Sequence, residues 1–153
     1  MKEFDYELDY KRLDFTDAST RQLYRIGRGE QGVLLVRPYT DDICAHWKFR
    51  TPRLASLSSQ KILKMYEDYK ENKDFIGMDM CRKFLEMGFT RARRYANHKD
   101  GKKYDSQGKV LPQEKDWRTS PKAQSAVIFK KIRDQVAYDP VYKEMRRLWR
   151  ENE

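Results

Sequence analysis

Three times in this chain a side chain that can accept a hydrogen bond stands directly before a proline: Thr51-Pro52, Ser120-Pro121 and Asp139-Pro140. Proline is tolerated at the first helical position, where its missing N–H is no loss. Ser, Thr or Asp before it can cap the free amides of the first turn. The pairs therefore predict three helix starts, and the residues that follow agree. Ile62, Met65, Tyr66 and Tyr69 recur at helical intervals, predicting a helix from Pro52 to Lys70 with Ser58-Ser59 as a candidate break. Ser125, Ile128, Phe129, Ile132 and Val136 form the inward stripe of the second. In the third, Val141, Met145 and Leu148 face the core with Tyr142 and Trp149 beside them, and Lys143, Arg146, Arg147 and Arg150 gather opposite. Asp74 predicts one more start, at Phe75. There Met80, Cys81, Phe84, Leu85, Gly88, Ala92, Tyr95 and Ala96 share one wide arc, which makes Tyr95 a core residue. Arg82, Lys83, Arg93 and Arg94 fall largely outside that arc. Gly88 reads either as a helix stop or as a point of close packing.

The first third of the chain reads differently. Tyr24-Arg25-Ile26, Val33-Leu34-Leu35-Val36 and His46-Trp47-Lys48-Phe49-Arg50 read as three strands. Phe4, Tyr6, Leu8 and Tyr10 alternate with charged residues, so residues 1–20 read as an acidic, aromatic arm or an edge strand. The expected fold is α+β, a small antiparallel sheet of about three strands covered by three or four helices, in a single domain over residues 1–153. Residues 97–119 are polar and loop-like, with turn signals at Asp100-Gly101 and Gln107-Gly108.

Charge points toward function. The 153 residues carry a net charge of +9. It is unevenly spread: residues 1–20 hold six acids and three bases, whereas residues 81–104 hold eight bases and two acids. Such a concentration suits an anionic partner, most commonly nucleic acid. No stretch approaches the roughly 18 consecutive apolar residues of a membrane span. The acidic N-terminus lacks a hydrophobic signal core. Two cysteines far apart, Cys44 and Cys81, suit a reducing compartment, so a cytoplasmic location is expected.

The sharpest segment runs from Arg91 to Tyr104. Arg91, Arg93, Arg94, Lys99, Lys102 and Lys103 can neutralise phosphates, Asn97 can bond a base edge, and Tyr95, His98 and Tyr104 can stack on unpaired bases. The bland alternative is a solvated basic surface. Gly27-Arg28-Gly29-Glu30-Gln31-Gly32 satisfies a dinucleotide-loop pattern, but an apolar, strand-like run follows where a helix should open. It reads as a glycine-rich turn. A weaker reading lets Arg25 and Arg28, around exposed amides, receive an oxyanion. Asn97-His98-Lys99-Asp100-Gly101 resembles the first half of the H-N-H endonuclease motif, in which the His activates water, but Tyr104-Asp105-Ser106-Gln107-Gly108 replaces the downstream half. Cys44, His46, Cys81 and His98 offer zinc-type ligands at spacings that match no usual zinc site. No catalytic residue, metal or cofactor is assigned.

Several stretches carry a wider likeness: Phe4-Asp5-Tyr6, Leu8-Asp9-Tyr10, Tyr24 through Leu34, His46-Trp47-Lys48-Phe49, Gly77-Met78-Asp79-Met80 and Thr90 through His98. Through them the chain resembles, nearly end to end, an uncharacterised family of short proteins, a domain of unknown function. That family occurs in tailed bacteriophages, notably cyanophages, and in scattered microbes. The resemblance implies a complete single domain and carries over no activity and no functional residues.

The leading expectation is a non-enzymatic protein that binds nucleic acid, DNA or RNA, through Arg91, Arg93, Arg94, Asn97, His98, Lys99, Lys102 and Lys103, with Arg25 and Arg28 as additions. The alternatives are a protein-interaction module, and a metal-dependent endonuclease-like enzyme using His98.

Overall fold

Each of the three proline pairs does cap a helix. Thr51 Oγ1 accepts from Leu54 N at 3.1 Å, Ser120 Oγ from Ala123 N at 3.2 Å and Asp139 Oδ1 from Val141 N at 3.0 Å. The computed structural model describes residues 2–98 and 100–153. Its helices are α1 Ala18–Arg21, α2 Tyr39–Cys44, α3 Pro52–Glu71, α4 Phe75–Asn97, α5 Pro121–Ala137 and α6 Pro140–Glu151. α3 runs unbroken through Ser58 and Ser59, both buried. Their hydroxyls are engaged: Ser58 Oγ accepts from Lys48 N, and Ser59 Oγ donates to Ser56 O.

The molecule is organised around α4. Every residue from Phe75 to Leu85 is buried, because α2, α3, α5 and α6 all pack on this helix. Gly88 is a close-packing position and not a stop. The Phe129 ring of α5 lies where a side chain would begin, so that an added Cβ would sit 2.4 Å from it. Aromatic rings link the N-terminal segment to the helices. Phe4 stacks on Tyr10, Tyr10 on Phe15, and Phe15 meets Tyr24 edge-on. Tyr24 then meets Trp149 of α6, which stacks on Phe75 of α4. Burying each such ring contributes about 1.5–3 kcal/mol.

The expected antiparallel sheet is not there. Among the described residues the sole β pairing is an isolated bridge between Tyr104 and Val110, so the fold is all-helical and not α+β. The physical reason is in the hydrogen bonds. Strand-like segments need partners for their backbone groups, and here side chains supply them. Lys83 Nζ donates to Arg25 O and Gln31 O, Arg82 Nη1 to Gly29 O, Arg150 Nη2 to Gly27 O and Trp149 Nε1 to Tyr24 O. Val33 through Val36 instead form successive tight turns, tied together by Thr40, whose hydroxyl donates to Val33 O and accepts from Val36 N. At residues 46–50 the alternation is real, with Trp47 and Phe49 half-buried between exposed neighbours, but no strand lies beside them. Phe4 and Tyr10 are buried while Tyr6 points outward, so the first residues form a wrapping arm and not an edge strand.

α6 is rotated from its expected face. Tyr142, Met145 and Trp149 turn inward, whereas Val141 and Leu148 are 44% and 45% exposed. A helix at the edge of the bundle buries a narrow stripe, and the tyrosine hydroxyl finds a buried acceptor that the aliphatic residues do not need.

Candidate nucleic-acid interface

The basic end of α4 gains a second wall from the chain that follows it. After His98, a turn closes with Gly101 N donating to His98 O at 2.8 Å. Gly101 has φ +71° and lies against the Tyr95 ring, a conformation and an approach that both favour glycine. The chain doubles back through the Tyr104–Val110 bridge, with Leu111 N donating to Lys103 O at 2.7 Å. It then returns to the helix end, where Glu114 N donates to Asn97 O at 2.8 Å and satisfies a terminal carbonyl. Between helix and returning chain lies a groove of about 460 Å³. Arg93, Arg94, Asn97, His98 and Lys103 line it, over apolar surface from Phe89 and Leu111.

Five of the sequence-predicted site residues thus share one groove. Arg94 and Lys103 are exposed, Arg93 and Asn97 half-buried, and His98 only 7% exposed. Arg93 Nη2 donates to Trp117 O, and its guanidinium lies 5.7 Å from the Trp117 ring centroid. Three polar atoms here are buried without a hydrogen-bond partner among the described residues: Arg93 Nε, Asn97 Oδ1 and His98 Nδ1. Buried polar groups are nearly always paired, so three orphans in one groove mark a place where a ligand or ordered water would complete the bonding.

Arg91 and Lys102 are exposed nearby, outside the groove lining, and Lys99 lies outside the described residues. Tyr95 is 37% exposed, outside the groove lining and not in the core. One part of its ring faces Phe49 and Lys122. Tyr104 is 52% exposed, with Lys103 Nζ 5.7 Å from its ring. Glu30 accepts from Thr90 Oγ1 at 2.9 Å, and burial raises its pKa despite that bond and the nearby charges of Arg91 and Arg94.

Arg25 and Arg28 are elsewhere. Arg25 Nη1 donates to Gln22 O, and Arg28 lies with Phe4, Tyr6 and Arg150 around a separate hollow. The glycine-rich segment presents carbonyl oxygens to cations. That polarity is opposite to the amide cradle a phosphate needs. Among the described residues no group of three or more His, Cys, Asp or Glu side chains is placed to hold a metal ion, at His98 or elsewhere.

A second cluster was not anticipated. Arg82 and Lys83, placed outside the apolar arc by their spacing, are both buried beside the fully buried Asp79. Asp79 Oδ1 accepts from Arg82 Nε at 2.7 Å and from the Tyr142 hydroxyl at 2.5 Å, and Oδ2 accepts from the Tyr24 hydroxyl. Lys83 Nζ is 3.9 Å from Oδ2 and 4.8 Å from the Tyr24 ring centroid. Burial by itself would push the Asp79 carboxyl up. The charges of Arg82 and Lys83 and the bonds from Arg82 and Tyr142 outweigh it and hold the group well below the usual carboxylate range. Burial pushes the Lys83 ammonium down to about 7, with Asp79 opposing and Arg82, Arg146 and Arg150 reinforcing the shift. The signal that could have revealed this cluster is Asp79 three and four residues before Arg82 and Lys83, the spacing of helical ion pairs.

No curated protein sequence and no solved structure matches the chain. No helix among the described residues is long and apolar enough to cross a membrane. One family model does match, over residues 5–152, and on that extent the chain belongs to the family of the domain of unknown function DUF4385.

Proposed function

We propose that this chain is a non-enzymatic nucleic-acid-binding protein whose contact surface is the groove between the end of α4 and residues 101–113. The observation that carries the reading is the convergence of Arg93, Arg94 and Lys103 with the unpartnered polar atoms of Arg93, Asn97 and His98. The cations would neutralise backbone phosphates, and the amide and imidazole would bond to a base or a sugar. Tyr104 offers an exposed ring beside them for stacking. Arg91 and Lys102 extend the positive field along the approach. In this reading the protein works in the cytoplasm, of a phage-infected host or of a microbe, where nucleic acid is accessible.

The test is fluorescence anisotropy with labelled single- and double-stranded DNA and RNA across a salt series. Binding should weaken steeply with salt, because each neutralised phosphate releases counterions. The double variant Arg93→Ala/Arg94→Ala, checked for folding by circular dichroism, should reduce the slope of log affinity against log salt by up to ~2 units. No binding at low salt, or an unchanged slope, overturns the proposal. Retained pull-down of a protein partner by the double variant would then favour an interaction module. Divalent-ion-dependent plasmid nicking that His98→Ala abolishes would favour a nuclease.

A further inference from the structure

On another part of α4 a notch of about 350 Å³ opens between α4, α5 and α6. Four cations line it: Arg82 from α4, Arg133 from α5, and Lys143 and Arg146 from α6. Two carboxylates share the lining, Glu86 and Asp134, and both are committed to Arg133 at 2.7 Å. The other three cations are therefore not neutralised from within the lining. Behind Arg82 lies Asp79, already accepting from Arg82 Nε and from two tyrosine hydroxyls.

Arg82 supplies the second, independent observation. It is only 8% exposed, and its nitrogens have different fates. Nε donates to Asp79 and Nη1 to Gly29 O, while Nη2 is buried with no acceptor among the described residues. An unpaired donor on a buried guanidinium is costly, more so than for a neutral group. Arg146 Nη1 donates to the Tyr142 hydroxyl at 2.9 Å, and its side chain is one-third exposed. Lys143 is exposed on the turn before it. Donors thus approach the notch from two helices.

We infer that this notch is a binding site for a phosphate group, held by Arg82, Lys143 and Arg146. Several oxygens on one small anion suit donors arriving from different sides, where a single carboxylate offers two. Asp79 is the one carboxylate set against Arg82, Lys83 and Arg146 among the described residues, at 2.7, 3.9 and 3.9 Å, so the phosphate charge would offset the positive charge it leaves over. The site is independent of the groove at the end of α4: from Arg82 to Arg93 the helix rises about 16 Å at 1.5 Å per residue. It stands whether or not the groove binds nucleic acid.

The experiment is titration calorimetry of the full chain with inorganic phosphate, against sodium chloride at matched ionic strength. Phosphate should bind with a saturable isotherm that chloride does not reproduce. The variant Lys143→Gln/Arg146→Gln should lose at least tenfold in phosphate affinity, and Arg93→Ala/Arg94→Ala should retain it. Both changed residues of the first variant reach solvent, and circular dichroism establishes that it folds. Should it not fold, Lys143→Glu alone, at an exposed position, should weaken phosphate binding at least threefold. Displacement of bound phosphate by an oligonucleotide would assign the site to a nucleic-acid backbone, and failure to displace it would assign the site to a small phosphorylated molecule. An isotherm no different from chloride, or full binding by a folded notch variant, overturns the inference.

Discussion

In the first half of α4, Arg82 and Lys83 lie inside the protein; in the second, Arg91 and Arg94 lie in water. All four are basic and the helix is continuous, so helical spacing does not decide which cations are buried. Acceptors do. The first half carries Asp79 on its own helix and faces the carbonyls of Arg25, Gly29 and Gln31. Near the second half, the Glu30 carboxylate is taken by Thr90, and the arginines remain at the surface. Burying a charge requires a counter-charge or hydrogen-bond acceptors, and Asp79 with the N-terminal segment supplies them along only part of the helix.

The largest expected effect comes from removing the partner. Asp79→Asn leaves Arg82 and Lys83 buried without a counter-charge and should cost about 3–5 kcal/mol in urea denaturation. A loss under 1 kcal/mol would mean that the backbone carbonyls alone hold the two cations.

Acidity sharpens the same contrast. In the unfolded chain the Lys83 ammonium has its ordinary value of 10.5, and burial in the fold pushes it down to about 7. Between those values the unfolded state binds the extra proton. The Lys83 contribution is therefore complete above the unfolded value and is lost as pH falls toward 7. Stability should rise from pH 7 to 9 by up to ~1.4 kcal/mol per unit from this group. The window stops there because burial first, and then the Asp79 charge, raise the Tyr24 and Tyr142 pKa values, so ionisation of unfolded tyrosines reverses the trend above about pH 10. Lys83→Met should flatten the slope; identical slopes for the two proteins would show that Lys83 keeps its proton throughout.

Gly88, between the two halves, gives the next effect. Gly88→Ala drives a methyl group to 2.4 Å from the Phe129 ring and should cost about 1–3 kcal/mol by overpacking. Adding Phe129→Leu should recover part of that loss in a double-mutant cycle. The smallest effect belongs to the exposed end: Arg91→Ala and Arg94→Ala should each change stability by no more than about 0.5 kcal/mol in the same urea assay.

The sequence made the helices legible wherever a capping side chain and an apolar period coincided, as at Thr51, Asp74, Ser120 and Asp139. The N-terminal third misled because β-branched and aromatic alternation describes a half-buried surface, not the presence of a partner strand. Trp47 and Phe49 satisfy that alternation against the rings of Phe84 and Tyr95. The basic stretch 91–103 was visible as composition. Its shape as a groove depends on residues 110–113, which carry no charge pattern to announce them. Arg25 and Arg28 were grouped with it by charge, although the segment bearing them answers to Arg82, Lys83 and Arg150. The Asp79 cluster stayed hidden because hydropathy treats every arginine and lysine as exterior.

The bonds from Trp149 and Arg150 to the carbonyls of Tyr24 and Gly27 join positions more than 120 residues apart. On the ribosome, those carbonyls wait for more than 120 further residues to emerge before their donors exist. The entropy of closing so long a loop is paid before either bond is gained. The α3–α5 bundle, built from nearer contacts, should gain hydrogen-exchange protection first, and the wrapping segment last. Order of assembly then runs opposite to order of synthesis, and the wrapping segment, made before the helices it joins, is left longer than they are to chaperones and proteases.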